Sequence, residues 1–360
     1  MIKSLNGCHQ RNTMSFSKPQ NLDWINNLRL IALFAVVVLH TTSPVLELYN
    51  KGPLTLWLVG DFYNSLVRFA VPVFVMISGA LLLHREYELG SFLKKRLVRI
   101  VIPFLFWSLI YIGYEFYNED LVYNGDTWVT TRQVLHLLKI GSSYHLWYVY
   151  MLIGLYLFVP VISKFVRNAT EHEIRYFLIV WLLVMVLSQP YMLRFKPQID
   201  VRYFEGFIGY LVLGHYLAFM PLPRKRLAWW CILFFACLAI ISIGTYMLFR
   251  HYNGISTLLY EPLSPSILLI SVSVFMIARI YQPEAAPFLI RIRNFAGKYN
   301  YGIYLSHALV LTLLSDMADI NYKLFNPVFS IPLVALVCFV LSLLLVFIVN
   351  KIPLGKYISG

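Results

Sequence analysis

The sequence predicts an all-α protein: a polytopic membrane helix bundle of about ten transmembrane helices with both termini in the cytoplasm. Of its 360 residues 59% are hydrophobic and only 13% are charged, about half the charged share of a soluble protein. Apolar runs of about 20 residues, the length that crosses a bilayer as a helix, recur along the chain. The aromatic share of 16% suits many membrane interfaces, where amphipathic rings collect.

Ten apolar segments are candidate spans. They cover approximately residues 27–43, 57–83, 100–117, 146–166, 174–193, 204–220, 227–249, 263–281, 301–318 and 330–350. We therefore expect a polar cytoplasmic N-terminal segment at 1–21, a membrane domain at 22–350 and a cytoplasmic tail at 351–360. The segment 1–21 lacks the apolar stretch of a secretory signal peptide. The longest connection, about 118–143, leaves room for an interfacial helix near Thr130–Ile140.

The basic residues are unevenly divided between the two sides that these spans define. Alternate connections hold 21 of the 30 Lys and Arg residues, the opposite connections hold 8, and Arg68 lies within a span. This asymmetry follows the positive-inside rule and places both termini in the cytoplasm. The net charge of +13 would indicate nucleic-acid binding in a soluble protein. Here it indicates membrane orientation, and no nucleic-acid partner is expected.

Metal and nucleotide-loop chemistry have no signature in the sequence. Cys231, Cys237 and Cys338 lie inside apolar runs without metal-ligand spacing, so they are interpreted as packing residues and no metal is expected. The chain has no phosphate-binding glycine loop, dinucleotide fingerprint or zinc motif. Any chemistry must therefore come from polar residues within the spans, which are costly to bury and functional by default.

The first span carries the sharpest candidates, Arg29 and His40. Eleven residues of helix turn through about 1100°, or three turns plus about 20°, so both side chains share a face about 16 Å apart along the axis. A guanidinium at the cytoplasmic mouth could hold phosphates, and a histidine deeper within could take a proton from a hydroxyl. The alternative is that Arg29 is only a membrane anchor and His40 a packing residue.

The second span carries a polar stripe. Asp61, Asn64, Ser65 and Arg68 follow i, i+3, i+4, i+7 spacing and share one helix face. This face cannot sit against lipid, so it should line a cavity or meet polar groups of another helix. The alternative is a structural ion pair of Arg68 with Asp61 or with another helix. Pro72 follows and can kink the helix.

Further candidates lie at the ends of later spans. The basic cluster of residues 94–99, taken as a cytoplasmic loop, could attract anionic lipid or bind the phosphates of a nucleotide-bearing donor. His145 and Trp147 open the fourth span on the outer side, in an aromatic belt or stacked against sugar faces. His307, in the ninth span, is a second-rank cavity candidate. Two weaker candidates, His215 and Glu205, lie in or at the edge of the sixth span.

These segments together resemble the acyltransferase-3 family of integral membrane acyltransferases. Arg29 followed by His40 is similar to the family's Arg-x10-His signature, and residues 68–79 resemble its Arg…Val-Pro-x-Phe-Phe-x-Ile-Ser-Gly block. Residues 95–103 resemble an Arg-x-x-Arg…Pro stretch. The segments 145–148 and 301–307 match further blocks. The resemblance spans about residues 22–350, with Asn26 where the family often has Asp.

The resemblance implies transfer of an acetyl group from cytoplasmic acetyl-CoA to a hydroxyl of a surface polysaccharide or its lipid-linked precursor, in the bacterial cytoplasmic (inner) membrane. In pattern the chain is nearest to the enterobacterial common antigen type. The expected catalytic residues are His40, Arg29 and Arg68, the expected coenzyme A contacts are Arg29, Arg96 and Arg99, and the expected substrate contacts are Asp61, His145, Trp147 and His307. The rival interpretation is a multi-spanning transporter or flippase of a lipid-linked glycan, which buried polar groups also suit.

Overall fold

The structure is a computed structural model that describes residues 23–123, 125–195, 206–221, 226–284 and 286–360, with the side chains of 193–195 left out. These residues form helices joined by short connections, and none of them lies in a strand. The prediction of an all-α membrane helix bundle is confirmed. The predicted N-terminal segment 1–21 and the candidate Glu205 lie outside the described residues.

Fourteen α-helices make up the described part of the chain. They are α1 (Asp23–Leu46), α2 (Leu54–Val67), α3 (Ala70–Leu82), α4 (Leu89–Tyr117), α5 (Thr127–Ile140), α6 (Trp147–Asn168), α7 (Glu171–Leu187), α8 (Ile208–Phe219), α9 (Leu227–Tyr252), α10 (Pro265–Ile280), α11 (Pro287–Lys298), α12 (Asn300–Ala318), α13 (Pro327–Val349) and α14 (Gly355–Ile358). Two short 3-10 turns occupy Pro190–Phe195 and Leu258–Tyr260.

Seven helical stretches in the described part are long and apolar enough to cross a membrane. They are α1, α2 with α3, α4, α6, α9, the 3-10 turn before α10 together with α10, and α13. The three other predicted spans coincide with α7, α8 and α12. Of these, α7 has 17 residues and α8 has 12, and α12 carries polar residues along its length. The count of ten and the side on which each terminus lies therefore stay predictions.

The second span is broken at Arg68 and Phe69, which form a turn between α2 and α3. Pro72 has no N–H and cannot donate to the carbonyl of Arg68, so the helical hydrogen bonding lapses there. It resumes with the N–H of Val73, which donates to the carbonyl of Phe69 at 3.0 Å. Arg68 therefore lies where the helical hydrogen bonding is interrupted, with backbone angles that stay helical at φ −59° and ψ −21°.

The basic cluster of residues 94–99 is helical, so its interpretation as a loop is wrong. α4 begins at Leu89, and Glu88 caps it by accepting from the backbone N–H groups of Gly90 at 3.1 Å and Ser91 at 2.8 Å. Hydrogen bonds from Ser91 and Gly90 lower the pKa of the Glu88 carboxyl. An early cap therefore extends the third span by about three turns, and its basic residues project from a rigid helix.

α1 lies at the centre of the bundle and packs against α2, α3, α10, α11, α12 and α13. Its start is fixed by Arg293 of α11, which pairs with Asp23 at 2.7 Å and donates to the side chain of Asn27 at 3.2 Å. The neighbouring pair α3 and α8 packs with backbones in contact, because a Cβ on Gly79 would lie 1.8 Å from the carbonyl oxygen of Leu211. The helix that carries Arg29 and His40 is thus held on several sides.

Candidate functional site

A cavity of about 1230 Å³ lies at one end of the bundle, among the starts of α1 and α4, the junction of α11 and α12, and the last residues of the chain. We call it the basic cavity and this end the basic end. Seven cationic side chains line it: Arg29, Lys94, Lys95, Arg96, Arg99, Lys298 and Lys356. None of the described residues that line it is Asp or Glu. Such a surface favours a polyanionic ligand.

The structure brings together the three arginines that the sequence assigns to donor binding, Arg29, Arg96 and Arg99. It adds two lysines that the sequence analysis counted only as orientation signals, Lys298 and Lys356. Aromatic rings form the inner wall: those of Phe74, Tyr148, Tyr156, Tyr301 and Tyr304. The cavity thus combines a charged mouth with a less polar interior, as a ligand with phosphates at one end and an uncharged group at the other requires.

Three histidines meet deeper in the bundle. The ring of His40 on α1 lies 5.2 Å from that of His307 on α12 and 6.3 Å from that of His145 before α6. The rings of His145 and His307 are 4.9 Å apart, centroid to centroid. We call this group the histidine cluster. Sequence reasoning named all three residues but had no means of placing them side by side.

Hydrogen bonds to backbone carbonyls and to one serine hydroxyl hold the cluster. Nδ1 of His307 lies 2.6 Å from the carbonyl oxygen of Tyr304, and Nδ1 of His145 lies 3.1 Å from Oγ of Ser143. The hydroxyl of Tyr304 donates to the carbonyl of His145 at 2.5 Å, which ties α12 to the start of α6. His145 is 1% and His307 0% exposed, so both rings are enclosed by protein.

A single layer of rings separates the basic cavity from the histidine cluster. Tyr148 and Tyr304 both line the cavity, and their rings are 5.2 Å apart. The ring of Tyr304 also lies 5.7 Å from His307 and 5.6 Å from His145. We call Tyr148 and Tyr304 the tyrosine layer. The cluster is therefore one side chain away from a ligand in the cavity.

The other side of the histidine cluster faces the opposite end of the bundle. The ring of Tyr144 lies 4.9 Å from that of His40, and Tyr144 is 59% exposed. Trp147, also predicted here, is 41% exposed, and its ring lies near those of Phe207 at 6.1 Å and Tyr148 at 6.4 Å. A second ligand could thus approach His40 past Tyr144, from the side away from the basic cavity.

Arg68 is linked to the turn of α1 that carries His40. Its Nε donates to Asn64 Oδ1 at 2.7 Å, and the Asn64 amide donates to Thr42 Oγ1 at 2.8 Å and to the carbonyl of Leu39 at 3.4 Å. The guanidinium also stacks 4.0 Å above the ring centroid of Tyr260, a favourable cation–π arrangement. The arginine is thus a fixed positive charge behind the histidine.

Asp61 is fully buried, and its carboxylate accepts hydrogen bonds from other side chains of the protein. Its carboxylate accepts from Oγ of Ser242 at 2.5 Å and from the hydroxyl of Tyr260. Tyr260 therefore touches both Asp61 and Arg68, the two residues for which a direct ion pair was the alternative. Among the residues that the structure describes, no group of three or more His, Cys, Asp or Glu side chains is arranged to hold a metal ion.

Comparison with known proteins gives one match that extends over almost the whole chain. The Acyl_transf_3 family model, described as an acyltransferase domain, matches residues 22–351. A curated relative from Bacillus subtilis (strain 168), named "Putative membrane-bound acyltransferase YfiQ", is 38% identical over 86 residues. That stretch covers 23% of this chain and 24% of the relative, so the match spans about a quarter of the relative's length. No solved structure matches.

Proposed function

Because the chain belongs to the acyltransferase-3 family of membrane acyltransferases, we propose that it transfers an acetyl group from acetyl-CoA to a hydroxyl group. The acceptor is a cell-surface polysaccharide or its lipid-linked precursor, and the enzyme works in the bacterial cytoplasmic membrane with its basic end toward the cytoplasm. The observation that carries this proposal is the position of the basic cavity one tyrosine layer away from the histidine cluster.

The basic cavity supports coenzyme A as the donor. Guanidinium groups bind phosphates through paired hydrogen bonds, and Arg29, Arg96 and Arg99 line the same wall region as four lysines. A volume of about 1230 Å³ exceeds the roughly 300–1,000 Å³ of pockets for drug-sized ligands. A large phosphorylated donor thus fits with its phosphates at the charged mouth and its thioester toward the tyrosine layer.

The histidine cluster supports general-base chemistry. His40 takes the proton of the acceptor hydroxyl, whose oxygen forms a bond to the thioester carbonyl carbon. The carbon–sulfur bond then breaks, and its electron pair leaves with the sulfur of coenzyme A. Arg68, fixed by Asn64 and Tyr260, supplies positive charge for the oxyanion that develops between these events. A variant of this route, in which His40 briefly carries the acetyl group, uses the same residues.

The remaining predicted residues divide into two groups. Asp61 acts through Tyr260, which it holds beneath Arg68, and we assign it a positioning role instead of direct substrate contact. His145 and His307 belong to the histidine cluster itself, and Trp147 lies outside it, with its ring 6.1 Å from that of Phe207. We assign His145 and Trp147 to the approach of the acceptor.

The experiment is an assay of the purified protein in nanodiscs with radiolabelled acetyl-CoA and a membrane extract that contains lipid-linked glycans. We expect label in the glycan fraction, a loss of about 10²–10⁴-fold in kcat for His40→Ala, and a raised KM for acetyl-CoA in Arg29→Ala. His251→Ala, on an exposed histidine of α9, is the matched control and should keep wild-type activity.

Two outcomes would reject the proposal. Undiminished transfer by His40→Ala would remove the base. A wild-type protein that turns over no acetyl-CoA, yet moves labelled lipid-linked glycan across proteoliposomes, would instead establish the transporter interpretation.

A further inference from the structure

His307 carries a buried polar atom that the proposed mechanism has not used. Its Nε2 has no hydrogen-bond partner in the described part of the chain, and the residue is 0% exposed. Buried polar atoms are nearly always hydrogen-bonded, because leaving one unpaired costs free energy. Nε2 of His145 in the same cluster also has no protein partner among the described residues, so both nitrogens are available to a water or to a reacting group, and His307 is the one beside His40 and Tyr304.

The protonation of the ring follows from its other contact. Nδ1 of His307 lies 2.6 Å from the carbonyl oxygen of Tyr304, and a carbonyl oxygen can only accept. In the neutral ring Nδ1 must therefore carry the hydrogen, so Nε2 presents a lone pair. His307 is in the form that can accept one proton at Nε2 and later release it from the same atom.

The backbone of α12 around His307 is held by two neighbouring side chains. The thiol of Cys338 donates to the carbonyl of His307 at 3.4 Å. The hydroxyl of Tyr111 donates to the carbonyl of Leu305 at 2.8 Å and accepts from the N–H of Leu309 at 3.0 Å. These contacts fix one turn of α12 on either side of His307. Proton transfer between two defined atoms requires such a fixed position.

The position of His307 connects the two halves of the reaction. Its ring lies 5.2 Å from that of His40, the base at the acceptor side, and 5.7 Å from that of Tyr304, whose ring lines the basic cavity. We propose that His307 is a second catalytic histidine, which takes the acceptor's proton from His40 and delivers it to the thiolate of departing coenzyme A. This inference rests on the proposed function and adds to it the route of the proton.

The step is balanced. The acceptor O–H proton moves to His40 as the new carbon–oxygen bond forms, and the carbon–sulfur bond breaks with its electron pair on sulfur. The proton passes to Nε2 of His307, directly or through one water, and then to sulfur, so both rings end neutral. The products are the acetyl ester and the free thiol of coenzyme A.

Two substitutions separate the roles of the two ring nitrogens. In His307→Asn the amide nitrogen takes the place of Nδ1 and keeps the donor to the Tyr304 carbonyl, while Nε2 is lost. In His307→Gln an amide nitrogen takes the place of Nε2 but cannot accept a proton. Both variants are compared with wild type and with His40→Ala, using acetyl-CoA or 4-nitrophenyl thioacetate as donor. The thiolate of the second donor is weakly basic and leaves without protonation.

We expect both His307 variants to lose at least about 100-fold in kcat with acetyl-CoA, with the Kd for acetyl-CoA within about twofold of wild type. With 4-nitrophenyl thioacetate the same variants should lose less than about fivefold, whereas His40→Ala should fail with both donors. A structural defect would lower both rates equally, so the difference between donors is the diagnostic readout.

The inference is overturned if either His307 variant keeps wild-type kcat with acetyl-CoA, or if the two donors suffer the same loss. These results leave the proposed function standing, because wild type still transfers acetyl. A wild-type protein inactive toward both thioesters overturns the proposed function and this inference together.

Discussion

Replacing Gly79 by alanine tests the close backbone contact between α3 and α8. A Cβ at this position would lie 1.8 Å from the carbonyl oxygen of Leu211 and 2.7 Å from its carbonyl carbon. A relaxed carbon–oxygen contact is about 3.3 Å, so α3 and α8 must separate locally by about 1.5 Å. A flexible side chain could rotate away from the added methyl group, but a backbone carbonyl within a helix cannot.

The expected cost follows from this displacement. Overpacking by a methylene group usually costs about 1–3 kcal/mol, and a backbone obstacle places Gly79→Ala at about 3 kcal/mol. Close packing of small residues is one of the main contributions to helix association in membranes, so the separation of α3 from α8 should lower stability. An unfolding entropy of roughly 2.1 cal/mol/K per residue amounts to about 0.76 kcal/mol/K over 360 residues, so the unfolding temperature should fall by about 4 °C.

The assay is thermal unfolding in detergent, followed by fluorescence-detected size-exclusion chromatography. Gly113→Ala and Gly154→Ala are matched controls, because a Cβ at either position would meet nothing within 4 Å. Alanine is favoured over glycine in a helix by roughly 0.5–1 kcal/mol, so the controls should unfold at or slightly above the wild-type temperature. If Gly79→Ala unfolds with the controls, the backbone contact between α3 and α8 is refuted.

Two further predictions concern the site itself. Tyr260→Phe removes one hydrogen bond from buried Asp61. Because an unsatisfied buried acceptor costs about 1–3 kcal/mol, we expect a lower unfolding temperature. An unchanged unfolding temperature would contradict the contact between Tyr260 and Asp61. Gly302→Val would place a Cβ 1.9 Å from the carbonyl oxygen of Ser359 and so displace the C-terminal segment, which lines the basic cavity through Lys356. Isothermal titration calorimetry should then find that acetyl-CoA binds at least about tenfold more weakly. An unchanged affinity would show that this segment does not shape the cavity.

The sequence predicted those features that depend on one helix alone. Arg29 and His40 both lie on α1, and the helical period alone sets the relative direction expected for their side chains over eleven residues. The interruption of the helix at Arg68 and Phe69 follows from the missing N–H of Pro72. Both deductions use local geometry and need no knowledge of neighbouring helices.

Features that depend on packing between helices were not predictable in the same way. His145 and His307 are 162 positions apart in the chain, and only the contact of α12 with the start of α6 brings their rings within 4.9 Å. Hydropathy also placed the start of α4 too late. The basic residues 94–99 lower the mean hydropathy as a loop would, but the helix already begins at Leu89, where Glu88 caps it. Lys298 and Lys356 counted only as orientation signals, because their place in the cavity depends on how α11 and the C-terminal segment pack against other helices.

The tyrosine layer has a consequence for the cell as a whole. An enzyme that takes one substrate from inside and another from outside risks becoming a pore that dissipates the ion gradients of an energised membrane. Under the proposed function, the two phenol rings, whose centroids are 5.2 Å apart, stand between the basic cavity and the outer approach and would interrupt a column of water there. A two-carbon acyl group could pass the tyrosine layer with little movement of its side chains, whereas a long fatty acyl chain would have to displace both rings.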